Sequence, residues 1–176
     1  MRAAASLATV SLLAAAVWCN PLHAQVAATL TVKGNVEREL VLSIDDLMRL
    51  PVQRLEDVRT VREAGAGAAA PETARRYTGC LLRDVLERAK PVENSRFDLR
   101  KSIVIVTASD GYRAVFSWAE LYLSPIGDGA LVVYERDGAP LADTEGPLAL
   151  VSLKDTRPGP RHVKWLRSVE LRVVAD

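Results

Sequence analysis

The run of Ile and Val from Ser102 to Ala108, SIVIVTA, constrains this chain more than any other stretch. A short β-branched apolar segment packs as a buried strand, and Asp110-Gly111 closes it with a turn. Tyr112 to Phe116 then returns as its hairpin partner. The pattern repeats downstream, where Ala130 to Glu135 reads as an apolar strand. It is followed by the Asp137-Gly138 turn and a short strand at Pro140-Leu141. Strands are also expected over Ala28 to Val36, Leu40 to Ile44, Gln53 to Arg62, Leu148 to Leu153 and Ser168 to Val174.

Helices are few and short. Ser43 can cap one that starts at Ile44-Asp45-Asp46, whose acidic first turn suits the positive helix end, and Pro51 stops it. Leu82, Val85, Leu86 and Ala89 fall on one face of a helix over Leu81 to Ala89. Ser117 caps a third through Glu120-Leu121. With no alternation of strand and helix, the class is α+β, with a mixed sheet or barrel and no internal repeat. Glu63 to Thr73, rich in Gly and Ala, reads as a loop. No helix signal or Lys-Ser/Thr follows it, so it is not a phosphate cradle.

The first 24 residues read as a signal peptide. Arg2 precedes an apolar stretch from Ala3 to Val17, and Ala24 offers a small residue before a cut ahead of Gln25. The apolar run is about 15 residues, short of the roughly 20 that a spanning helix needs. An N-terminal anchor is the alternative. The expected address is the periplasm, with one domain over residues 25–176 and no stable membrane insertion after cleavage.

Removing residues 1–24 of the 176 leaves a chain with 22 basic and 22 acidic residues. That balance gives no reason to expect nucleic acid as a partner. Cys19 and His23 leave with the leader, so Cys80 becomes the sole thiol and His162 the sole histidine. An internal disulfide is then excluded, as is a zinc site of clustered Cys and His. Cys80 reads as a small buried hydrophobe, with a reactive thiol at a helix start as the sharper reading. Asp84, Asp137, Asp143 and Glu145 show no spacing that pairs two of them. A hydrolytic triad has one histidine and nothing near it in sequence. Arg157-Pro158-Gly159-Pro160-Arg161-His162-Val163-Lys164 puts fixed positive charge near exposed backbone amides. It can bind a small anion or be a solvated basic loop.

Five signals recur in order. They are Tyr77-Thr78-Gly79 running into Leu82-Arg83-Asp84-Val85-Leu86, Ser109-Asp110-Gly111-Tyr112, Asp137-Gly138, Gly146-Pro147-Leu148 and Val163-Lys164-Trp165-Leu166. The set, spanning Leu30 to Val174, resembles the oxidoreductase molybdopterin-binding domain of the sulfite oxidase type, and more closely its small single-domain periplasmic versions. The resemblance implies that α+β fold and a molybdopterin cofactor. It also implies a molybdenum held by the pterin dithiolene and by one cysteine thiolate ahead of the Tyr-x-Gly segment.

The matching stretch here, Gln53 to Arg76, contains no cysteine. Cys80 stands after Gly79, where relatives carry Pro or Val. No metal ligand is therefore assigned, and molybdenum is disfavoured while the pterin is not. The resemblance places the pterin phosphate on the basic loop. Arg161 and Lys164 match the pattern, His162 lies where relatives often have Ser, and Arg157 opens the segment. Two functions are open. One is a molybdopterin-dependent oxidoreductase passing electrons to a periplasmic redox partner. The other is a descendant without the cofactor that binds a small ligand or a signalling protein.

Overall fold

A computed structural model describes residues 28–57, 74–95, 97–157 and 159–174. The expected leader, the Glu63 to Thr73 loop and the Val58 to Arg62 end of one expected strand lie outside the described residues. Among the described residues, ten strands and three short α-helices follow one another. They are β1 (Thr29–Gly34), β2 (Leu40–Ser43), α1 (Ile44–Met48), β3 (Val52–Asp57), β4 (Arg75–Leu81) and α2 (Leu82–Ala89). Then come β5 (Ser102–Ala108), β6 (Arg113–Ser117), α3 (Trp118–Tyr122), β7 (Ala130–Arg136), β8 (Ala139–Pro140), β9 (Ala149–Ser152) and β10 (Leu166–Val173). No helix among the described residues is long and apolar enough to cross a membrane.

The strands form two sheets. The first runs β2-β1-β10-β5-β6 and is mixed, because β1 and β10 lie parallel, whereas its other pairs are antiparallel. The second places β4 between β3 and β7, and β8 and β9 both pair with β7, all antiparallel. Neither strand order closes on itself, so of the mixed sheet and the barrel expected from sequence, the mixed sheet is the one formed.

Period-2 alternation explains how the layers stack. Cys80, Val132 and Leu150 of the second sheet pack with Leu30, Val32, Val104, Val106, Phe116, Val169 and Leu171 of the first, and with the α2 stripe Leu82, Val85, Leu86 and Ala89. The opposite face of the second sheet buries a smaller cluster of Tyr77, Leu81, Leu131, Val133, Leu141, Ala149 and Val151. Each buried Leu or Val contributes about 1.5–3 kcal/mol relative to exposure. This double burial accounts for the unbroken apolar runs at Ala130 to Tyr134 and Ala149 to Val151.

The helix starts are set locally. Ser43 Oγ accepts from the Asp46 N–H at 3.2 Å, and the Asp46 carboxylate accepts from the Ser43 N–H at 3.0 Å. Ser117 and Glu120 repeat this at α3, at 3.1 and 2.7 Å. Such a cap stabilises by about 0.5–2 kcal/mol. Asp137 (φ 55°) and Gly138 (φ 81°) turn β7 into β8 with two positive φ angles, the conformation that an Asp-Gly hairpin favours. β1 is shorter than expected because Val36 leaves the sheet to bridge Pro91.

Candidate functional site

The Asp110-Gly111 turn and the loop from β9 to β10 meet around Trp165. Tyr112 donates its hydroxyl hydrogen to the Pro160 carbonyl at 2.5 Å, and the Tyr112 N–H donates to Asp110 Oδ1 at 2.9 Å. Ser109 N–H donates to the Trp165 carbonyl at 2.9 Å, and Trp165 N–H donates to the Glu145 carbonyl at 2.8 Å. Val163 and Leu150 exchange both backbone bonds, at 2.8 and 2.9 Å. These bonds hold Trp165 at φ 52°, a left-handed conformation that costs a bulky residue about 1–3 kcal/mol. A side chain on Gly146 (φ 76°) would lie 2.6 Å from the indole ring, so glycine there lets the ring rest against the backbone.

Arg161 is consumed by this architecture. Its Nε donates to Asp155 Oδ2 at 2.8 Å, its second terminal nitrogen bonds Asp155 Oδ1, and Nη1 donates to Glu120 Oε1 at 2.9 Å. The guanidinium also lies 4.5 Å from the centre of the Phe116 ring. Burial pushes the Glu120 carboxyl up, but bonds from Ser117 and Arg161 outweigh it and hold the group below its ordinary value. Glu120 therefore serves twice, capping α3 and fastening the loop to it.

The next residue has different surroundings. His162 Nε2 lies 3.9 Å from Glu145 Oε2, and neither buried atom has a hydrogen-bond partner. Glu145 Oε1 accepts from Arg136 Nη1 at 2.5 Å. Burial is the main cause that pushes the imidazole below its ordinary value; Glu145 opposes it, and Lys164, Arg136 and Arg75 reinforce it. Tyr77, buried beside Arg75, Glu145 and Arg136, is pushed up by desolvation. Of the three cations that act on the ring, Arg136 is paired with Glu145 itself and Lys164 is exposed to solvent.

Lys164 and Arg157 are exposed, and neither makes an ion pair with a described residue. Of the four residues expected at an anion site, Lys164 and His162 share the cluster with Glu145. Arg161 has its guanidinium committed elsewhere. The structure does not bring Arg157 to either group. Glu145, Arg136, Asp155 and Glu120 were missed. Asp155 lies on the loop itself, whereas Glu145, Arg136 and Glu120 reach it only through the fold, although Ser117-x-x-Glu120 is visible in sequence as a cap.

Cys80 is fully buried in β4, opposite Val52 and Val132. Burial, with a smaller push from Asp84, raises its thiol to about 12. A thiol so placed is not the thiolate that a molybdenum centre would take from the protein. Among the described residues, no three His, Cys, Asp or Glu side chains group as metal ligands. The residues present therefore do not fit thiolate ligation of the metal of a pterin cofactor.

A search of curated proteins finds no match. Among solved structures, the sulfane dehydrogenase SoxCD from Paracoccus pantotrophus is similar at 22% identity and a TM-score of 0.60. The alignment covers 84% of this chain but 38% of that one, so the likeness carries the fold alone. The family model described as the oxidoreductase molybdopterin binding domain matches residues 20–174. With the two sheets, few helices and ordered turns described above, the chain has the sulfite-oxidase-type α+β fold and belongs to the oxidoreductase molybdopterin-binding domain family.

Proposed function

We propose that this chain is an exported binding module of its family. It holds a small anionic ligand of the organic phosphate class beside Lys164, without a thiolate-held molybdenum. The observation that carries this reading is Cys80. The only thiol beyond the leader lies in the core and is raised to about 12, while the stretch where a ligand cysteine would stand has none. The exposed Lys164, two residues from the buried and unpartnered His162 Nε2, supports an anion, and the apolar N-terminal stretch supports export to the periplasm. A signalling or redox protein is the partner class that such an address supplies.

A second reading follows from the family match over residues 20–174, which favours a molybdopterin-dependent oxidoreductase passing electrons to a periplasmic partner. One experiment separates them. Protein is purified from a periplasm competent to make the cofactor, and its metal content, absorbance spectrum and released small molecules are measured. The binding module predicts molybdenum far below one atom per chain, together with an anionic small molecule released on denaturation. Stoichiometric molybdenum would overturn that reading and establish the oxidoreductase. Intact mass on the same sample tests export, with Gln25 expected as the first residue.

A further inference from the structure

Glu145 Oε2 and His162 Nε2 form an unfinished hydrogen bond. The Glu145 side chain is only 6% exposed, and the two facing atoms, 3.9 Å apart, have no other partner. A buried acceptor left without a donor is destabilising, and native folds retain few such groups. The missing donor is the second proton of a charged His162 ring, which puts an N–H on Nε2 whichever nitrogen carries the proton of the neutral form.

Burial and three cations keep that proton away. Arg136 already serves Glu145 Oε1, and Arg75 lies near Tyr77 at the start of β4. Lys164 is exposed and open to a solute anion. An oxyanion beside Lys164 would cancel one of the charges that oppose protonation of the ring, leaving the attraction of Glu145 to act.

We propose that anion binding at Lys164 is proton-linked: the bound oxyanion draws a proton from solvent onto His162, and the imidazolium pairs with Glu145 across the gap. This rests on the anion-site reading of the loop and adds a regulation to it. The ligand class is a divalent oxyanion such as sulfate or a phosphate ester. Linkage fixes the sign. Between the ring's lower pKa in the free protein and its higher one in the complex, affinity rises as pH falls, by up to about tenfold per unit.

The test uses sulfate, because inorganic phosphate itself titrates near neutral pH. Calorimetry of the mature protein with sulfate, in two buffers of different ionisation enthalpy, counts the protons taken up between about pH 5 and 8. The expected result is uptake approaching one proton per sulfate in the wild type. His162→Gln should bind sulfate without uptake and with affinity flat in pH, and Lys164→Gln should lose affinity. Wild-type binding with no uptake and no pH dependence would overturn the linkage while leaving the anion site standing. Absence of sulfate binding throughout would overturn both.

Discussion

Arg161 and His162 are adjacent in sequence, and the loop treats them in opposite ways. The Arg161 guanidinium faces two carboxylates, Asp155 and Glu120, with its face near the Phe116 ring. His162 faces one carboxylate, whose other oxygen belongs to Arg136, amid the charges of Lys164 and Arg75. Arg161 is held by two carboxylates, so a ligand would have to displace them. At His162 the hydrogen bond to Glu145 is left open, and the neighbouring Lys164 is exposed. A basic motif in a sequence therefore divides into a part that fastens the loop and a part that the fold leaves unpaired. Which is which depends on the carboxylates that the fold delivers.

Removing Arg161 should produce the largest effect. Arg161→Gln takes the guanidinium away from Asp155 and Glu120, whose side chains are 12% and 35% exposed. Breaking a buried pair costs about 3–5 kcal/mol; with Glu120 partly solvated, about 2–4 kcal/mol is expected in urea unfolding. A cost near zero would erase the distinction between the two residues. The same variant has a pH signature. Glu120 is held below its ordinary 4.5, so its contribution is present above that value and lost as pH falls through the depressed pKa. Part of that acid-side loss should disappear in Arg161→Gln.

Gly146→Ala acts on the Trp165 side of the loop. The new methyl would meet the Trp165 ring at 2.6 Å on a backbone with φ 76°, and about 1–3 kcal/mol should be lost. Trp165 fluorescence should shift with it, and an unchanged spectrum would mean that the ring does not depend on that contact. Cys80→Ala should cost about 1–2 kcal/mol. The native thiol should resist alkylating reagents until the protein unfolds, since burial raises it to about 12. Rapid labelling of the folded protein would contradict its placement in the core.

His162→Gln should have the smallest effect, visible only in acid. The folded ring has a pKa below its ordinary 6.5, so the unfolded chain takes the proton more readily. Stability is then full above 6.5 and declines as pH falls from there toward the folded value. Replacing the ring should flatten that part of the pH–stability curve, and an unchanged slope would assign the decline to another group.

Much of the fold was legible because its signals are local. Ser43 and Ser117 each sit three residues before the carboxylate that completes the cap. Asp137-Gly138 carries its own turn geometry, and the α2 stripe follows from helical spacing. The candidate site was legible only in part, because its meaning lies in distant partners. Arg161 meets Asp155 six residues away and Glu120 forty-one residues away. The parallel pairing of β1 with β10 joins the two ends of the domain, which no local pattern encodes. In sequence Glu145 is one of several scattered acids; only the fold sets its backbone carbonyl on the Trp165 N–H and its carboxylate against His162.

The most direct measurement is the pH titration of the His162 imidazole by proton NMR, with and without sulfate. In the chain from Gln25 onward it is the sole histidine, so its signal needs no assignment. The account predicts a midpoint below the ordinary 6.5 in the free protein, rising when sulfate is bound. A midpoint at or above 6.5 without sulfate, or one that sulfate leaves unmoved, would contradict it.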